Sequence, residues 1–278
     1  MKYIKDVNKI KILGKDDFNT RHILDCGQIF AYEENVVFSG NEVALIKENS
    51  EGFEIYCSDE NFFEKFFDLE TDYSKIKKRL SKFPLLKEPI CFGNGIRILR
   101  NDIFETMVSF IISANNNIKR IKLILSRLRE KLGESRTFRV SGVGISINYK
   151  TFPSYESLLS VDEQFFKDIG CGYRAPYLYK FLRQIDIQEI YNWSELETGE
   201  LRSRLIALAG IGPKVADCIL LFGYGKKDVF PVDTWINQMY NQYYQQSNNR
   251  ILIRNNLVKE FADLSGYAQQ YLFYFQRK

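Results

Sequence analysis

The feature that most constrains the fold is a change in hydrophobic periodicity near residue 100. Before it, four short apolar or alternating stretches lie between turn-like segments, as strands of a meander do: GQIFAYEE, VVFSG, VALIKEN and FEIYCS. After it, apolar residues recur at helical spacing, beginning with NDIFETMVSFIISA and IKRIKLILSRLREKLG. The sequence therefore predicts an α+β fold: a small antiparallel sheet domain with flanking helices over residues 1–98, and a mostly helical domain over residues 99–278.

Local signals refine the helical part. Asn101, followed by an acidic first turn, predicts the start of the first long helix. Three asparagines at 115–117 interrupt the pattern, because asparagine favours turns and the left-handed conformation over a helix interior. A glycine-rich loop then precedes a further series of helices, the last of which ends in YAQQYLFYFQRK.

Charge and histidine content limit the function. Residues 1–98 carry 15 Lys and Arg against 17 Asp and Glu, whereas residues 99–278 carry 24 against 18. The basic excess therefore lies in the helical part, as a phosphate-facing surface would require. His22 is the single histidine, which excludes His-rich metal sites and leaves acid–base chemistry to Asp, Glu, Lys, Cys or Tyr.

The five cysteines are scattered and include no Cys-x-x-Cys pair. This pattern predicts reduced, cytosolic thiols rather than disulfides, a zinc site or an iron–sulfur cluster. No run of about 18 apolar residues occurs, and the N-terminal segment MKYIKDVNKIKILGKDD is too charged for a signal peptide. The sequence therefore predicts no membrane segment.

The segment LAGIGPKVADC, residues 208–218, has the composition of a tight turn between two helices. Gly210 can adopt the left-handed conformation that ends a helix, and Pro213 fits the first position of the next helix. Small residues in such a turn let a phosphate approach backbone N–H groups at a helix N-terminus, where the helix dipole also favours an anion. This is a helix–hairpin–helix element, which holds a DNA backbone without reading its sequence.

Lys214 and Asp233 are the candidate catalytic residues beside this hairpin. As residue types they also fit structural roles, as a solvated surface lysine and as an N-cap carboxylate after Pro231. A free lysine amine can act as a nucleophile, and a carboxylate can stabilise a developing sugar cation. An N-cap carboxylate held by N–H groups stays ionised, so its capping and catalytic roles are compatible.

With VFPVDTW, the LAGIGPKVADC segment resembles the hairpin, Gly/Pro-rich loop and aspartate of the HhH-GPD superfamily of base-excision DNA glycosylases. CGQIFAY, IRILRNDIFETMVSFIISANNNIKRI, GCGYRAPYL and GYAQQYLFYF each resemble segments of 8-oxoguanine DNA glycosylase, in that family's order and across almost the whole chain. The resemblance implies two helical subdomains with an active-site cleft between them. It also implies a bifunctional glycosylase and abasic-site lyase that flips 8-oxoguanine out of duplex DNA and excises it.

The resemblance implies catalytic roles for two residues. Lys214 matches the nucleophile that attacks the anomeric carbon, expels the oxidised base and leaves a Schiff base, from which β-elimination nicks the strand. Asp233 matches the aspartate that stabilises the transition state and supports activation of the nucleophile. A dipole between a Lys214 ammonium and a Cys218 thiolate would sense the charge distribution of the lesion.

Four residues match positions that bind the extruded base. Cys218, one turn after Lys214, and Phe273 would stack on its two faces, and Gln269 would pair with its Watson–Crick edge. Gly27 would offer a backbone carbonyl to the N7 proton that 8-oxoguanine has and guanine lacks. As residue types, Cys218 and Phe273 also fit a core, and Gly27 a turn.

Seven residues match positions that contact the duplex: Asn115, Arg120, Tyr173, Arg174, Gly210, Gly212 and Pro231. The first four would fill the gap left by the flipped base and contact the orphaned cytosine, whereas the last three belong to the hairpin and its adjoining loop. As residue types, the first four also fit an ordinary surface. The resemblance implies a monomer without metal or other cofactor, whose partner is double-stranded DNA with 8-oxoguanine opposite cytosine. It implies a prokaryotic, cytoplasmic protein associated with the nucleoid through DNA.

Other functions fit parts of the sequence. An alkylated-base glycosylase shares the architecture but typically lacks the lysine. Endonuclease III-like enzymes, which act on other damaged bases, have the lysine together with four closely spaced cysteines near the C-terminus, whereas no cysteine follows Cys218 here. A non-catalytic helix–hairpin–helix DNA-binding protein would have the hairpin without a nucleophilic amine.

Overall fold

The computed structural model describes residues 1–140 and 142–278. Six strands near the N-terminus are β1 Lys2–Asp6, β2 Lys9–Leu13, β3 Tyr32–Glu33, β4 Val36–Ser39, β5 Glu42–Glu48 and β6 Gly52–Cys57. They form one antiparallel sheet in the spatial order β1-β2-β6-β5-β4-β3. Helix α1, Thr20–Asp25, lies between β2 and β3 along the chain.

The sheet buries one face beneath phenylalanine-rich packing. Ile10, Ile55 and Ile46 lie opposite one another across β2, β6 and β5, and all three are almost fully buried. Phe63 and Phe66, from the helix that follows the sheet, belong to the same apolar cluster. Because every second residue of a strand faces the same side of the sheet, these isoleucines fix which face of the sheet is buried.

Helices dominate the rest of the chain. They are α2 Glu60–Phe66, α3 Tyr73–Leu80, α4 Lys87–Phe92, α5 Ile103–Ser113, α6 Ile118–Leu132, α7 Tyr155–Leu159, α8 Glu163–Asp168, α9 Ala175–Gln184, α10 Ile187–Asn192, α11 Thr198–Ile206, α12 Pro213–Phe222, α13 Thr234–Tyr243, α14 Arg250–Phe261 and α15 Ser265–Gln276. A two-stranded hairpin, β7 Ser135–Val140 and β8 Ile145–Lys150, connects α6 to α7. Within the described ranges, no helix has the length and apolar content needed to cross a bilayer.

The helices pack around α5, which is buried along its whole length. Helix α3 joins this core: the Tyr73 ring meets the Tyr267 ring of α15 edge to face, with centroids 5.6 Å apart. Leu80 and Leu86 belong to the same cluster, while the sheet keeps a separate apolar cluster of its own. The division of the chain at 98/99 stays a prediction.

The predicted order of an antiparallel sheet followed by helices is confirmed. VVFSG, VALIKEN and FEIYCS correspond to β4, β5 and β6, but GQIFAYEE pairs only within the short β3. The prediction omits β1 and β2, where Lys9 and Lys11 alternate with buried isoleucines and pair with glutamates on or beside β6. It also places a glycine-rich loop where β7 and β8 form a hairpin; residue 141 of that loop lies outside the described residues.

The predicted cap of the first long helix is wrong by one residue. Asp102, not Asn101, caps α5: its carboxylate accepts a hydrogen bond of 2.8 Å from the backbone N–H of Glu105. Asn101 instead donates through its side-chain amide to the backbone oxygen of Gln28 at 3.2 Å. Both residue types are strong caps, so the tertiary contact of Asn101 decides the boundary.

Candidate active site

The predicted helix–hairpin–helix is formed by α11, α12 and the turn between them. Gly210 adopts the left-handed conformation, with φ +80°, and Pro213 is the first residue of α12, as predicted. Gly212 precedes Pro213 with φ −82°, and a Cβ added there would meet nothing within 4 Å. Within the part of the chain that the structure describes, no side chain caps α12, so its first N–H groups are open to an anion.

A small cavity of about 40 Å³ lies between the start of α12, helix α15 and the segment of residues 26–28, which we call the Gly27 segment. This base cavity is bordered by Gly27, Phe110, Lys214, Cys218, Phe222, Pro231, Asp233, Gln269, Gln270 and Phe273. It thus collects the residues predicted for chemistry and base binding, together with Pro231. Its volume is close to that of about one water molecule and far below that of a purine.

Lys214 and Cys218 face this cavity from successive turns of α12, as their spacing predicts. Lys214 is half-buried, and its Nζ lies 5.4 Å from the centroid of the Phe110 ring. Burial raises the pKa of the Cys218 thiol to about 11, although the nearby Lys214 charge lowers it. The thiol is therefore protonated near neutral pH, and the unliganded site does not favour the thiolate of the predicted dipole.

Asp233 combines the capping role with a place on the cavity wall. Its carboxylate accepts a hydrogen bond of 2.9 Å from the backbone N–H of Ile236 and so caps α13. Burial raises the pKa of this carboxyl above its ordinary value of 3.8, opposed by the Ile236 N–H and the Lys214 charge. The half-buried carboxylate lines the same cavity as Lys214, where it can stabilise a positive charge that develops beside the amine.

Gln269 has an open acceptor. The side chain is 4% exposed, and its amide nitrogen lies 3.4 Å from the backbone oxygen of Pro231. Among the described residues, no group donates to its buried Oε1. A buried acceptor without a donor is costly, so this atom suits a ligand that brings an N–H group into the cavity.

Gly27 and Phe273 are in direct contact at the rim of the cavity. Gly27 has φ +78°, and a Cβ added there would lie 3.0 Å from the edge of the Phe273 ring. The guanidinium of Arg277 lies 5.1 Å from the centroid of the same ring. Any larger residue at position 27 would therefore meet both backbone strain and the Phe273 ring.

A second, wider depression of about 310 Å³, which we call the hairpin groove, adjoins the helix–hairpin–helix turn. Its lining comes from the hairpin, from the residues just before the three asparagines at 115–117 (the asparagine break), and from residues in and beside Gly172–Arg174 (the GYR turn). The lining residues are Ile111, Ala114, Tyr173, Arg174, Tyr177, Leu208, Gly210, Ile211 and Gly212. The asparagine break is confirmed, because α5 ends at Ser113 and the exposed Asn115 adopts φ +48°.

Tyr173 and Arg174 hold the asparagine break in place from the other side of the groove. Arg174 is buried and donates to the backbone oxygens of Ala114 and Asn115, each at 2.7 Å. The Tyr173 hydroxyl donates to Ala114 at 3.0 Å, while its ring stays 55% exposed. Arg120 is exposed and reaches the backbone oxygen of Gly170 at 3.2 Å. Tyr173 and Arg174, both predicted to contact the orphaned cytosine side of the duplex, therefore lie beside Asn115. The guanidinium of Arg174 is already hydrogen-bonded to backbone oxygens.

Two family models match adjacent parts of the chain. Residues 11–107 match the N-terminal domain of 8-oxoguanine DNA glycosylase, and residues 108–262 match the HhH-GPD superfamily base excision DNA repair proteins. The chain belongs to the HhH-GPD superfamily. The N-terminal match further makes it a superfamily member of the 8-oxoguanine DNA glycosylase type.

Similar proteins support the same assignment. A probable N-glycosylase/DNA lyase of Methanothermobacter thermautotrophicus is 30% identical over 245 residues, which cover 79% of this chain and 74% of that protein. The 8-oxoguanine glycosylase/lyase of Clostridium acetobutylicum, solved with double-stranded DNA containing cytosine opposite 8-oxoguanine, is 36% identical. The match has a TM-score of 0.89 and covers 99% of this chain and 97% of that one. MBOgg1, solved with a low-affinity DNA ligand, is 35% identical with a TM-score of 0.89, over 100% and 99% of the two chains.

In this HhH-GPD protein, a buried ion-pair network fixes the helix that carries Lys214. Asp217 is 2% exposed and accepts from Arg202 of α11 at 2.7 Å and from Arg254 of α14 at 3.1 Å. Burial raises the pKa of Asp217, whereas the two arginines lower it. Removing one partner of such a buried network typically costs about 3–5 kcal/mol. The network therefore ties α12 to helices on both sides.

Three residues on the wall of the base cavity are absent from the sequence prediction: Phe110, Phe222 and Gln270. Phe222 follows Lys214 and Cys218 at intervals of four residues, so helical spacing on α12 could have identified it. Gln270 is a polar residue inside the apolar segment YAQQYLFYF, which is also a visible signal. Phe110 has none, because α5 is apolar throughout and only tertiary packing brings it beside Lys214.

Proposed function

We propose that this chain excises 8-oxoguanine from double-stranded DNA as a bifunctional glycosylase and abasic-site lyase of base excision repair. The observation that carries the proposal is the base cavity. It combines a half-buried lysine amine, a half-buried carboxylate and an amide acceptor that has no donor among the described residues. The family membership and the relatives described above support the same reaction.

In the proposed reaction, the Lys214 amine attacks C1′ of the flipped nucleotide. The bond between C1′ and the base breaks, and its electron pair leaves with the base. Asp233 stabilises the positive charge that develops on the sugar. The amine then loses a proton, the C1′–O4′ bond of the sugar ring breaks and O4′ takes up a proton, which leaves a Schiff base between C1′ and Lys214. This Schiff base loses a proton from C2′, and β-elimination breaks the C3′–O3′ bond and expels the 3′ phosphate.

Recognition of the base follows from the four other predicted contacts. Cys218 and Phe273 stack on the two faces of the base, and Gln269 accepts from N–H groups of its Watson–Crick edge. The Gly27 carbonyl accepts from the N7 proton of 8-oxoguanine, where guanine presents a lone pair. Because the cavity is far smaller than a purine, the base enters only after wall side chains such as Phe273 move.

On the duplex, the hairpin binds backbone phosphates through Gly210, Gly212 and the start of α12, beside Pro231 of the adjoining loop. Asn115 and the Tyr173 ring enter the space left by the flipped base. Arg120 and Arg174 contact the orphaned cytosine, for which Arg174 exchanges its bonds to backbone carbonyls. The chain acts as a monomer on chromosomal DNA, which in a prokaryote lies in the cytoplasm.

The test is Lys214→Gln, assayed on duplexes with 8-oxoguanine opposite cytosine. We expect loss of both base release and borohydride-trapped Schiff base, with binding to the lesion duplex retained, because glutamine has similar length and no nucleophilic amine. Lys131→Gln, an exposed lysine of α6, is the matched control and should leave both activities unchanged.

Each alternative function gives a different result in the same assays. Full activity of Lys214→Gln would contradict the mechanism. DNA binding by the unaltered chain without any trapped Schiff base would indicate a non-catalytic DNA-binding protein. Trapping on alkylated bases or oxidised pyrimidines, but not on 8-oxoguanine, would indicate a glycosylase for another lesion.

A further inference from the structure

The Gly27 segment borders the base cavity but belongs to no helix or strand. It lies between the end of α1 at Asp25 and the start of β3 at Tyr32. Segments without a backbone ladder need other partners to hold a fixed position. Two buried glutamine side chains, Gln28 and Gln270, supply these partners, and both are 1% exposed.

Gln28 ties the Gly27 segment to the N-terminal half of the chain. Its amide nitrogen donates to the backbone oxygens of Ile23 at 2.9 Å and Arg97 at 2.7 Å. Its amide oxygen accepts from the backbone N–H of Leu99 at 2.9 Å. Both its amide nitrogen and its amide oxygen are thus hydrogen-bonded to backbone groups of the N-terminal half.

Gln270 makes the corresponding connection to α15. Its amide nitrogen donates to the backbone oxygen of Cys26 at 2.7 Å, immediately before Gly27. Gln270 follows Gln269 and precedes Phe273 by less than one helical turn, so one bond joins the Gly27 segment to the helix that carries both proposed base contacts. The Cys26 thiol cannot replace this donor, because it is directed to the backbone oxygen of Ile23 at 3.2 Å.

We propose that Gln270 is a positioning residue for lesion recognition, which fixes the Gly27 carbonyl relative to Gln269 and Phe273 across the base cavity. This inference rests on the proposed function, in which the Gly27 carbonyl reads the N7 proton. A hydrogen bond between heavy atoms weakens steeply outside about 2.7–3.2 Å, so a small shift of the segment removes the preference for 8-oxoguanine. Without Gln270, the buried Cys26 oxygen also lacks a donor, which favours such a shift.

The test uses Gln270→Met in the full chain. Methionine nearly preserves the side-chain volume and removes the donor. The matched control is Gln164→Met on α8, where the glutamine is exposed and bonds to Asp168 within the same helix. Two single-turnover rates are measured: release of 8-oxoguanine opposite cytosine, and cleavage at a pre-formed abasic site, which has no base to be recognised.

We expect Gln270→Met to slow release of 8-oxoguanine about tenfold and to leave abasic-site cleavage within about twofold. In this variant, the ratio of the 8-oxoguanine release rate to the guanine release rate should fall by a similar factor. Gln164→Met should change none of these quantities. An equal loss of release and cleavage, or no loss of release, would overturn the proposal.

If Gln270→Met does not fold, a second variant tests the same proposal. Gln270→Ala removes the same donor and leaves space instead of an apolar end, and we expect the same selective loss of base release. Failure of the proposed function itself is visible separately. In that case the unaltered chain releases no 8-oxoguanine or traps no Schiff base, whatever the Gln270 variants do.

Discussion

The base cavity and the hairpin groove are built in opposite ways. The cavity, of about 40 Å³, is narrow and walled by side chains from α5, α12, α15 and the residues around Asp233. The groove, of about 310 Å³, is open and lined by turns, glycine backbone and exposed tyrosine rings. Under the proposed function, this difference means that chemistry and lesion choice depend on the side chains of the cavity, whereas attachment to DNA depends on the exposed backbone of the groove. Changes in one region should therefore leave the other function intact.

The largest difference between the loss of excision and the loss of DNA binding is expected for Asp233→Asn in the cavity. The variant loses the charge that stabilises the sugar cation, so excision of 8-oxoguanine should fall about 10²–10³-fold. Asparagine caps a helix about as well as aspartate, so α13 and DNA binding should persist. Single-turnover excision and titration of the lesion duplex measure the two effects. A matching loss of DNA affinity would show that the charge of Asp233 supports the DNA-binding structure rather than the sugar cation alone.

Salt should weaken DNA binding at the groove and leave the excision rate in the cavity nearly unchanged. If the hairpin and basic helical faces contact about four phosphates, the affinity for duplex DNA should drop on the order of 100-fold between 50 and 200 mM salt. The excision rate of fully bound substrate should change by less than about threefold, because salt screens partly buried charges much less than exposed ones. Fluorescence anisotropy at a series of salt concentrations gives the slope. An affinity that does not change with salt concentration would show that the groove does not bind phosphates.

Gly212→Ala tests the open backbone of the hairpin directly. The added Cβ meets nothing within 4 Å in the free protein and Gly212 has φ −82°, so the fold should tolerate it. It would protrude where a phosphate approaches, and we expect about tenfold weaker DNA binding with an unchanged excision rate at saturation.

Gly199→Ala in α11 is the control, because its Cβ also meets no neighbour and the position is away from the groove. Both variants should keep thermal unfolding close to that of the unaltered chain. Unchanged DNA affinity of Gly212→Ala would mean that phosphates do not approach this part of the hairpin.

The smallest effect is expected for Cys218→Ala. Burial holds the pKa of this thiol at about 11, so no thiolate charge is lost and the change is confined to stacking on the base. Excision should slow by a few-fold, on the order of the 1 kcal/mol that one such contact contributes. A loss as large as that of Asp233→Asn would instead show that a Lys214–Cys218 dipole forms when DNA binds.

Sequence alone predicts the parts of this molecule that depend on local chemistry. The four-residue spacing of Lys214 and Cys218 places both on one helix face, and the φ of Gly210 is as predicted. The resemblance names cavity residues that are far apart in the chain, such as Gly27 and Phe273, and the structure brings them into contact. Their individual roles stay predictions.

The rest depends on contacts that no local pattern contains. Phe110 reaches Lys214 through the packing of α5 against α12, and Arg174 is directed to backbone oxygens by the shape of the asparagine break. The Asn101 boundary fails because its amide finds a partner on Gln28, about 70 residues earlier in the chain. Strand β2 alternates lysines with buried isoleucines, a signal that its high charge obscures, whereas β1 has no alternating pattern.

The buried Asp217 network has a consequence for the order in which the molecule opens. Because Arg202 and Arg254 come from α11 and α14, α12 cannot separate from either helix without breaking one of the two ion pairs of the buried Asp217 carboxylate. Helices coupled in this way tend to unfold as one cooperative unit. We expect the backbone amides of α12 to exchange with deuterium at the same slow rate as the buried amides of α14, while those of the asparagine break exchange early. The helix that carries Lys214 would thus stay rigid while the surface around it adapts to DNA.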